Sequence, residues 1–211
     1  MSAPAPTLGD VLARPDVWRG SSFARVTAEP SGHAELDRRL PGGGWPVGAL
    51  SELFPEVQGI GEMQLVLPWI ARLTQAGGRV AMVDPPHLPF APALAQAGVV
   101  LSRLLLVRPQ SEDGGLWATE QILRAGPCGA VLAWPGRLGQ VELKRFQLAA
   151  EAGKTTALMF REPAAAAEFS PAALRLKLAA RPGGLRVDIF KCRGGTPAAV
   201  DVLLPARAAD G

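Results

Sequence analysis

The apolar residues of this chain fall into short runs separated by longer stretches of helical spacing. Val80-Ala81-Met82-Val83 and Leu104-Leu105-Leu106-Val107 are unbroken apolar runs, the pattern of strands buried on both faces. Strands are predicted over residues 49–54, 79–83, 104–107, 130–134 and 156–160. Helices are predicted between them over 61–76, 90–97, 116–125 and 141–152, with Pro68 expected to kink the first. Strands alternating with helices predict βαβ units on a mostly parallel sheet flanked by helices. The ending differs. Residues 174–179 and 185–190 alternate apolar and other side chains around Pro182-Gly183-Gly184, and 199–204 adds a further strand. That predicts a C-terminal antiparallel hairpin. The first forty residues are polar, proline-bearing and weakly patterned, with short helices expected at 7–13 and 32–40. The division is then an N-terminal segment over 1–31, partly flexible, one α/β domain over 32–204, and a flexible tail over 205–211.

Composition narrows the class. The chain has 211 residues, 48% hydrophobic, enough for one well-buried core. Lys plus Arg number 22 and Asp plus Glu 19, a formal charge of +3. Up to Gly136 there are 10 basic and 12 acidic residues, and from Arg137 onward 12 and 7. The cationic C-terminal third permits a weak DNA contact without requiring one. Cys128 and Cys192 are far apart, and with only His33 and His87 beside them no zinc-ligand spacing exists. Residues 1–9 show no signal-peptide pattern, and no run reaches the ~18 apolar residues of a membrane span. A reducing cytoplasm is the expected location, with no membrane contact.

The first strand should lead into a phosphate-binding loop if the chain uses nucleotide. A working loop reads G-x-x-x-x-G-K-[ST], its backbone N–H groups and lysine holding the phosphates and its hydroxyl holding magnesium. Here Glu56 stands at the first glycine, Gly61 at the second, Glu62 at the lysine and Met63 at the hydroxyl. Two carboxylates facing a triphosphate predict that ATP is not bound in the usual way. Gly153-Lys154-Thr155 resembles the loop's end but lacks the earlier glycine, Leu148 standing there. It reads as a helix end capped by Gly153. G-x-S-x-G is absent, and Ser170, His87 and Asp84 assemble into no triad by spacing. His87, among three prolines, reads as bracing a turn. Trp45, Trp69, Trp117 and Trp134 lie at or beside predicted elements and read as core packing before base stacking.

Taken together, these segments resemble the RecA core. Residues 32–48 resemble that family's lead-in to its first strand, and Leu50-Ser51-Glu52-Leu53-Phe54 follows as it does there. Val83-Asp84-Pro85-Pro86-His87 resembles the unit carrying RecA's catalytic glutamate, with Pro86 at that position. Val131-Leu132-Ala133-Trp134 falls where RecA has a magnesium-linked aspartate, and holds no acid. The DNA-threading loops look shortened to 135–138 and roughly 162–170. The likeness runs from about Gly32 to Leu204 and is greatest to the shortened ImuA family. Residues 40–46, 131–137 and 146–153 carry stretches typical of ImuA proteins.

The resemblance implies a protein that is not an enzyme and holds no cofactor. It implies an accessory of SOS-induced error-prone translesion synthesis, with RecA and ImuB as partners and, indirectly, an error-prone C-family DNA polymerase. Lys191 and Arg193 match two basic residues with which RecA-family strands reach a neighbour's ATP. Two apart on a strand, they should share a face. The expectation weighed against an ordinary solvated strand end is that they dock the protein on the end of a RecA filament. The rivals are a SulA-like division inhibitor binding FtsZ, which the greater length and the lead-in before Gly32 disfavour, and a weak ATPase with a non-standard site.

Overall fold

The computed structural model describes residues 26–205. In chain order these form β1 (Ala28–Glu29), α1 (Ala34–Asp37), β2 (Trp45–Pro46), β3 (Leu50–Pro55), α2 (Glu62–Gln75), β4 (Val80–Val83), α3 (Ala91–Gln96), β5 (Leu104–Val107) and α4 (Glu112–Ala125). They continue with β6 (Ala130–Ala133), α5 (Gln140–Gly153), β7 (Thr156–Phe160), β8 (Leu174–Arg181), β9 (Gly184–Cys192) and β10 (Ala198–Leu203). The helix expected at 7–13 and residues 206–211 lie outside the described residues.

One eight-stranded sheet runs β10-β9-β8-β3-β7-β6-β4-β5, with β3 to β8 parallel and β8, β9 and β10 antiparallel. This is the expected α/β architecture with its antiparallel ending. Successive strand residues point to opposite faces, so each run feeds two cores. Met82, Leu132, Leu158 and Phe160 pack with Leu65, Trp69 and Ile70 of α2 on one face. Val83, Val131, Ala157 and Met159 pack with Leu123 of α4 and Leu143 and Phe146 of α5 on the other. In β8 and β9 only one side joins a core, through Leu174, Leu176, Leu178, Leu185, Val187 and Ile189. Lys177 and Asp188 on the other side are exposed, the apolar-in, polar-out pattern of an antiparallel sheet.

Four local expectations are corrected. β5 is not covered on both faces: it is the sheet edge, with Leu105 47% and Leu106 37% exposed. Continuity of apolar residues does not distinguish a central strand from an edge. α4 begins at Glu112, four residues early, because the Ser111 hydroxyl accepts the Gly114 N–H at 3.2 Å and Glu112 and Asp113 suit the helix N-terminus. Gly114 and Gly115 had masked that turn. The left-handed cap of α5 is Lys154 (φ 52°), not Gly153. Gly153 is glycine for clearance, since a Cβ there would lie 1.9 Å from the Leu123 carbonyl oxygen of α4. Finally, Trp117 is 65% exposed instead of packed in the core. The helix α2 runs as one element through Pro68, whose ring lies against Gly32 of the lead-in.

The lead-in is fastened to α2. The Trp69 indole donates to Glu29 at 2.5 Å, and Arg72 donates to the Pro30 carbonyl. His33 is buried, and its Nε2 lies 3.0 Å from the Leu65 carbonyl oxygen, which can only accept, so the ring carries its proton on Nε2. Burial, outweighing that bond and the nearby Asp37 and Glu35, holds the imidazole below its ordinary value of 6.5. The ring therefore stays neutral in the folded chain where the unfolded chain already takes up a proton. Stability should fall as pH drops below about 6.5 and level off below the folded pKa. Urea unfolding at neutral and mildly acidic pH should show this slope. His33→Gln should flatten it, and an unchanged slope would assign it to other groups.

Candidate functional site

In an open, mostly parallel sheet the crevice beyond the carboxyl ends of the strands is the place for a ligand. Here the ends of β3, β4, β6 and β7 surround a hollow of about 990 Å³. The loop from Pro55 to Gly61 forms one wall. Gly59 (φ 83°) and Gly61 (φ 116°) turn left-handed and bring the loop into the N-terminus of α2.

Two of the loop's backbone donors are already occupied. Glu62, the first residue of α2, folds its carboxylate back onto the loop. Its Oε1 accepts the Gly59 N–H at 2.8 Å and its Oε2 the Gly61 N–H at 3.1 Å. These are the kind of donors, at a helix N-terminus, that a bound phosphate would use. A carboxylate of the chain itself is held there instead, on a residue only 9% exposed. The expectation of two inward carboxylates is corrected, because Glu56 turns away and accepts the Ala180 N–H of β8 at 2.7 Å. Met63 packs half-buried against the core.

The remaining site positions are spread over the strand ends. Pro86 and His87 are exposed in the turn after β4. Among the described residues no hydrogen bond of the His87 imidazole supports its reading as a turn brace. Asp84 takes a left-handed backbone (φ 53°) and its N–H donates to the Val107 carbonyl at 2.9 Å. Trp134, at the end of β6, stacks on Phe160 with ring centres 4.7 Å apart and planes 7° from parallel. Ser170 is buried, bonded to the Ala172 N–H, just before the amino end of β8. It stands at the opposite end of the sheet from Asp84 and His87, so the three form no triad.

Sequence reasoning missed a buried ion cluster. Glu52, fully buried in β3, accepts from Arg161 Nη1 at 2.6 Å and Arg175 Nε at 2.7 Å. Arg161 also donates to Glu168 at 2.9 Å and to the Leu138 carbonyl at 3.3 Å. Arg175 donates to the Glu168 and Ala165 carbonyls and lies over the rings of Phe54 and Phe190, 5.0 and 4.9 Å from their centres. The cluster binds β3, β7, β8 and the segment between β7 and β8. Its signal was a lone acid inside the apolar run of β3.

Lys191 and Arg193 do share a side. A bulge opposite Arg175 and Leu176 leaves Phe190 as the extra residue of β9. Beyond it Lys191 Nζ donates to the Ser170 carbonyl at 2.5 Å, and Arg193 Nη2 to the Pro171 carbonyl at 3.4 Å. Burial, with Arg175 and Arg193 nearby, pushes the Lys191 amine below its ordinary value. Both cations thus serve the chain's own segment, while the Arg193 side chain remains 58% exposed. Arg145, Arg161, Arg175 and Arg186 of the C-terminal third likewise each have an acidic partner. Both cysteines are free thiols, and burial pushes Cys192 up to about 11. Among the described residues no helix is long and apolar enough to cross a membrane.

Comparison with known proteins agrees with this architecture. No protein-family model matches the chain. It is 33% identical to Protein RecA 1 of Myxococcus xanthus over 102 residues, 48% of this chain and 30% of that one. It is 34% identical to Protein RecA of Bacillus subtilis over 110 residues, 51% of this chain and 31% of the relative. To Protein RecA of Chlorobium limicola it is 34% identical over 115 residues, 54% and 32% of the two chains. The fold is a RecA-like core. The matched stretch is about half of this chain and about a third of each relative.

Proposed function

We propose that this protein is a non-catalytic accessory of SOS-induced, error-prone translesion DNA synthesis, of the ImuA kind. It binds RecA and ImuB and thereby recruits or regulates an error-prone C-family DNA polymerase. The observation that carries the reading is the Glu62 carboxylate on the Gly59 and Gly61 N–H groups. A RecA-like core whose phosphate loop is filled by its own acid has little use for ATP. Pro86 and Trp134 at the strand ends, where RecA keeps a glutamate and an aspartate by resemblance, point the same way. A protein that retains the sheet without this chemistry retains it for protein contacts. Arg193, still 58% exposed, and Lys191, which would exchange its bond to the Ser170 carbonyl, supply the docking edge toward the last protomer of a RecA filament.

The test is direct binding of the purified chain to RecA filaments on single-stranded DNA with a non-hydrolysable ATP analogue, with ImuB and FtsZ as further partners. Binding to the filament and to ImuB is expected, with no ATP-dependent shift in melting temperature. Lys191→Ala with Arg193→Ala should weaken the filament contact. Intact binding by that double variant would refute the docking edge. FtsZ binding without RecA binding would transfer the assignment to a SulA-like division inhibitor.

A further inference from the structure

The hollow at the strand ends continues into a second cavity of about 380 Å³, the two sharing Gln58, Glu62, Pro85, Pro86 and Trp134 as walls. This second cavity is apolar. Met63, Leu67, Met82 and Leu94 line its interior, and Leu88 (67% exposed) and Phe90 (70% exposed) stand at its rim. Exposed apolar side chains clustered around an apolar cavity are the mark of a recognition site. Pro85, Pro86 and Pro89 hold that wall in few backbone conformations, so little order has to be lost on binding.

The larger hollow carries the opposite character. Asp84, Glu112 and Glu162 line it and are exposed, whereas Arg108 is the one exposed basic side chain among its described lining residues. Arg161 also lines it but is buried and already paired with Glu52 and Glu168. The trough therefore presents an apolar socket beside a net acidic channel. Phosphate groups and nucleic-acid backbones are repelled by such a channel, and cationic side chains are attracted.

We infer that this trough is a docking site for an extended segment of a partner protein. The segment places a leucine, methionine or aromatic anchor in the 380 Å³ cavity and lays lysine or arginine along Asp84, Glu112 and Glu162. The site stands whether or not RecA or ImuB supplies the segment. The apolar anchor gives most of the affinity and the acidic rim sets orientation and selectivity.

A library of short random peptides displayed on phage, selected against the full chain, tests this. Enriched peptides should carry a large apolar residue close to Lys or Arg. Their affinity, read by fluorescence polarisation, should fall about tenfold or more in Leu88→Asp with Phe90→Asp. It should fall similarly in Asp84→Asn with Glu162→Lys, which leaves the Glu112 bond to the Arg137 N–H intact. Leu203→Asp, an equally exposed apolar residue elsewhere, should leave it unchanged. All these side chains are exposed, so unaltered melting temperatures should accompany the losses. Failure to enrich any sequence, enrichment of acidic or uncharged peptides, or affinity indifferent to the trough variants would overturn the inference. So would displacement of the peptides by millimolar ATP, which would make the trough a nucleotide site.

Discussion

Glu52→Ala is expected to lower the unfolding free energy by about 3–5 kcal/mol, because it leaves two buried guanidinium groups without their shared counterion. Arg161 and Arg175 are each only 5% exposed, so water cannot replace the lost carboxylate. The effect should extend beyond β3, since the same two arginines hold Glu168 and the Ala165 carbonyl. Urea unfolding followed by tryptophan fluorescence measures the loss. Replacing the three charges together, Glu52→Leu with Arg161→Met and Arg175→Met, should cost far less, since no unpaired charge then remains buried. A single-variant loss below about 1 kcal/mol would mean that the cluster is solvated in solution.

The second large effect is at the loop. Glu62→Ala removes the acceptor of two loop N–H groups and the charge at the start of α2. A loss of about 2–3 kcal/mol is expected, the range for hydrogen bonds to a charged group with one donor at a buried residue. The emptied loop should then take an external anion. Acetate, formate or phosphate should raise the melting temperature of Glu62→Ala more than that of the wild-type protein at equal ionic strength. Glu62→Gln, which keeps an acceptor but no charge, should fall between the two. Equal anion responses in variant and wild type would show that the carboxylate does not stand in for a bound anion.

Much of this was legible in the residues, for identifiable reasons. Period-two and period-3.6 patterns report which side of an element is buried, and the strands at 104–107 and 156–160 fell where the patterns placed them. The substitutions at Glu62 and Met63 were equally visible, because a phosphate loop needs particular side chains at fixed spacing. What spacing could not convey was direction. Glu56 and Glu62 look alike in the chain, yet one turns to β8 and the other closes the loop. The pairing of Glu52 with partners more than a hundred residues away, and the edge position of β5, depend on strand order, which local patterns do not encode. The trough was hidden for the same reason: its apolar wall and acidic rim come from loops that only the sheet brings together.

The central place of β3 has a consequence for the order of events at synthesis. Its two neighbours are β7 and β8, with Leu50 opposite Ala157 and Ser51 opposite Leu174. When β3 leaves the ribosome, neither neighbour has been translated, and the carboxylate of Glu52 has no arginine to meet. At about 5–20 residues per second, several seconds pass before Arg175 follows. β3 must therefore wait for both of its neighbours while β4, β5 and β6, which lie beyond β7 in the sheet, are already made. Such long-range parallel pairing folds slowly and leaves both edges of β3 open to aggregation during that interval.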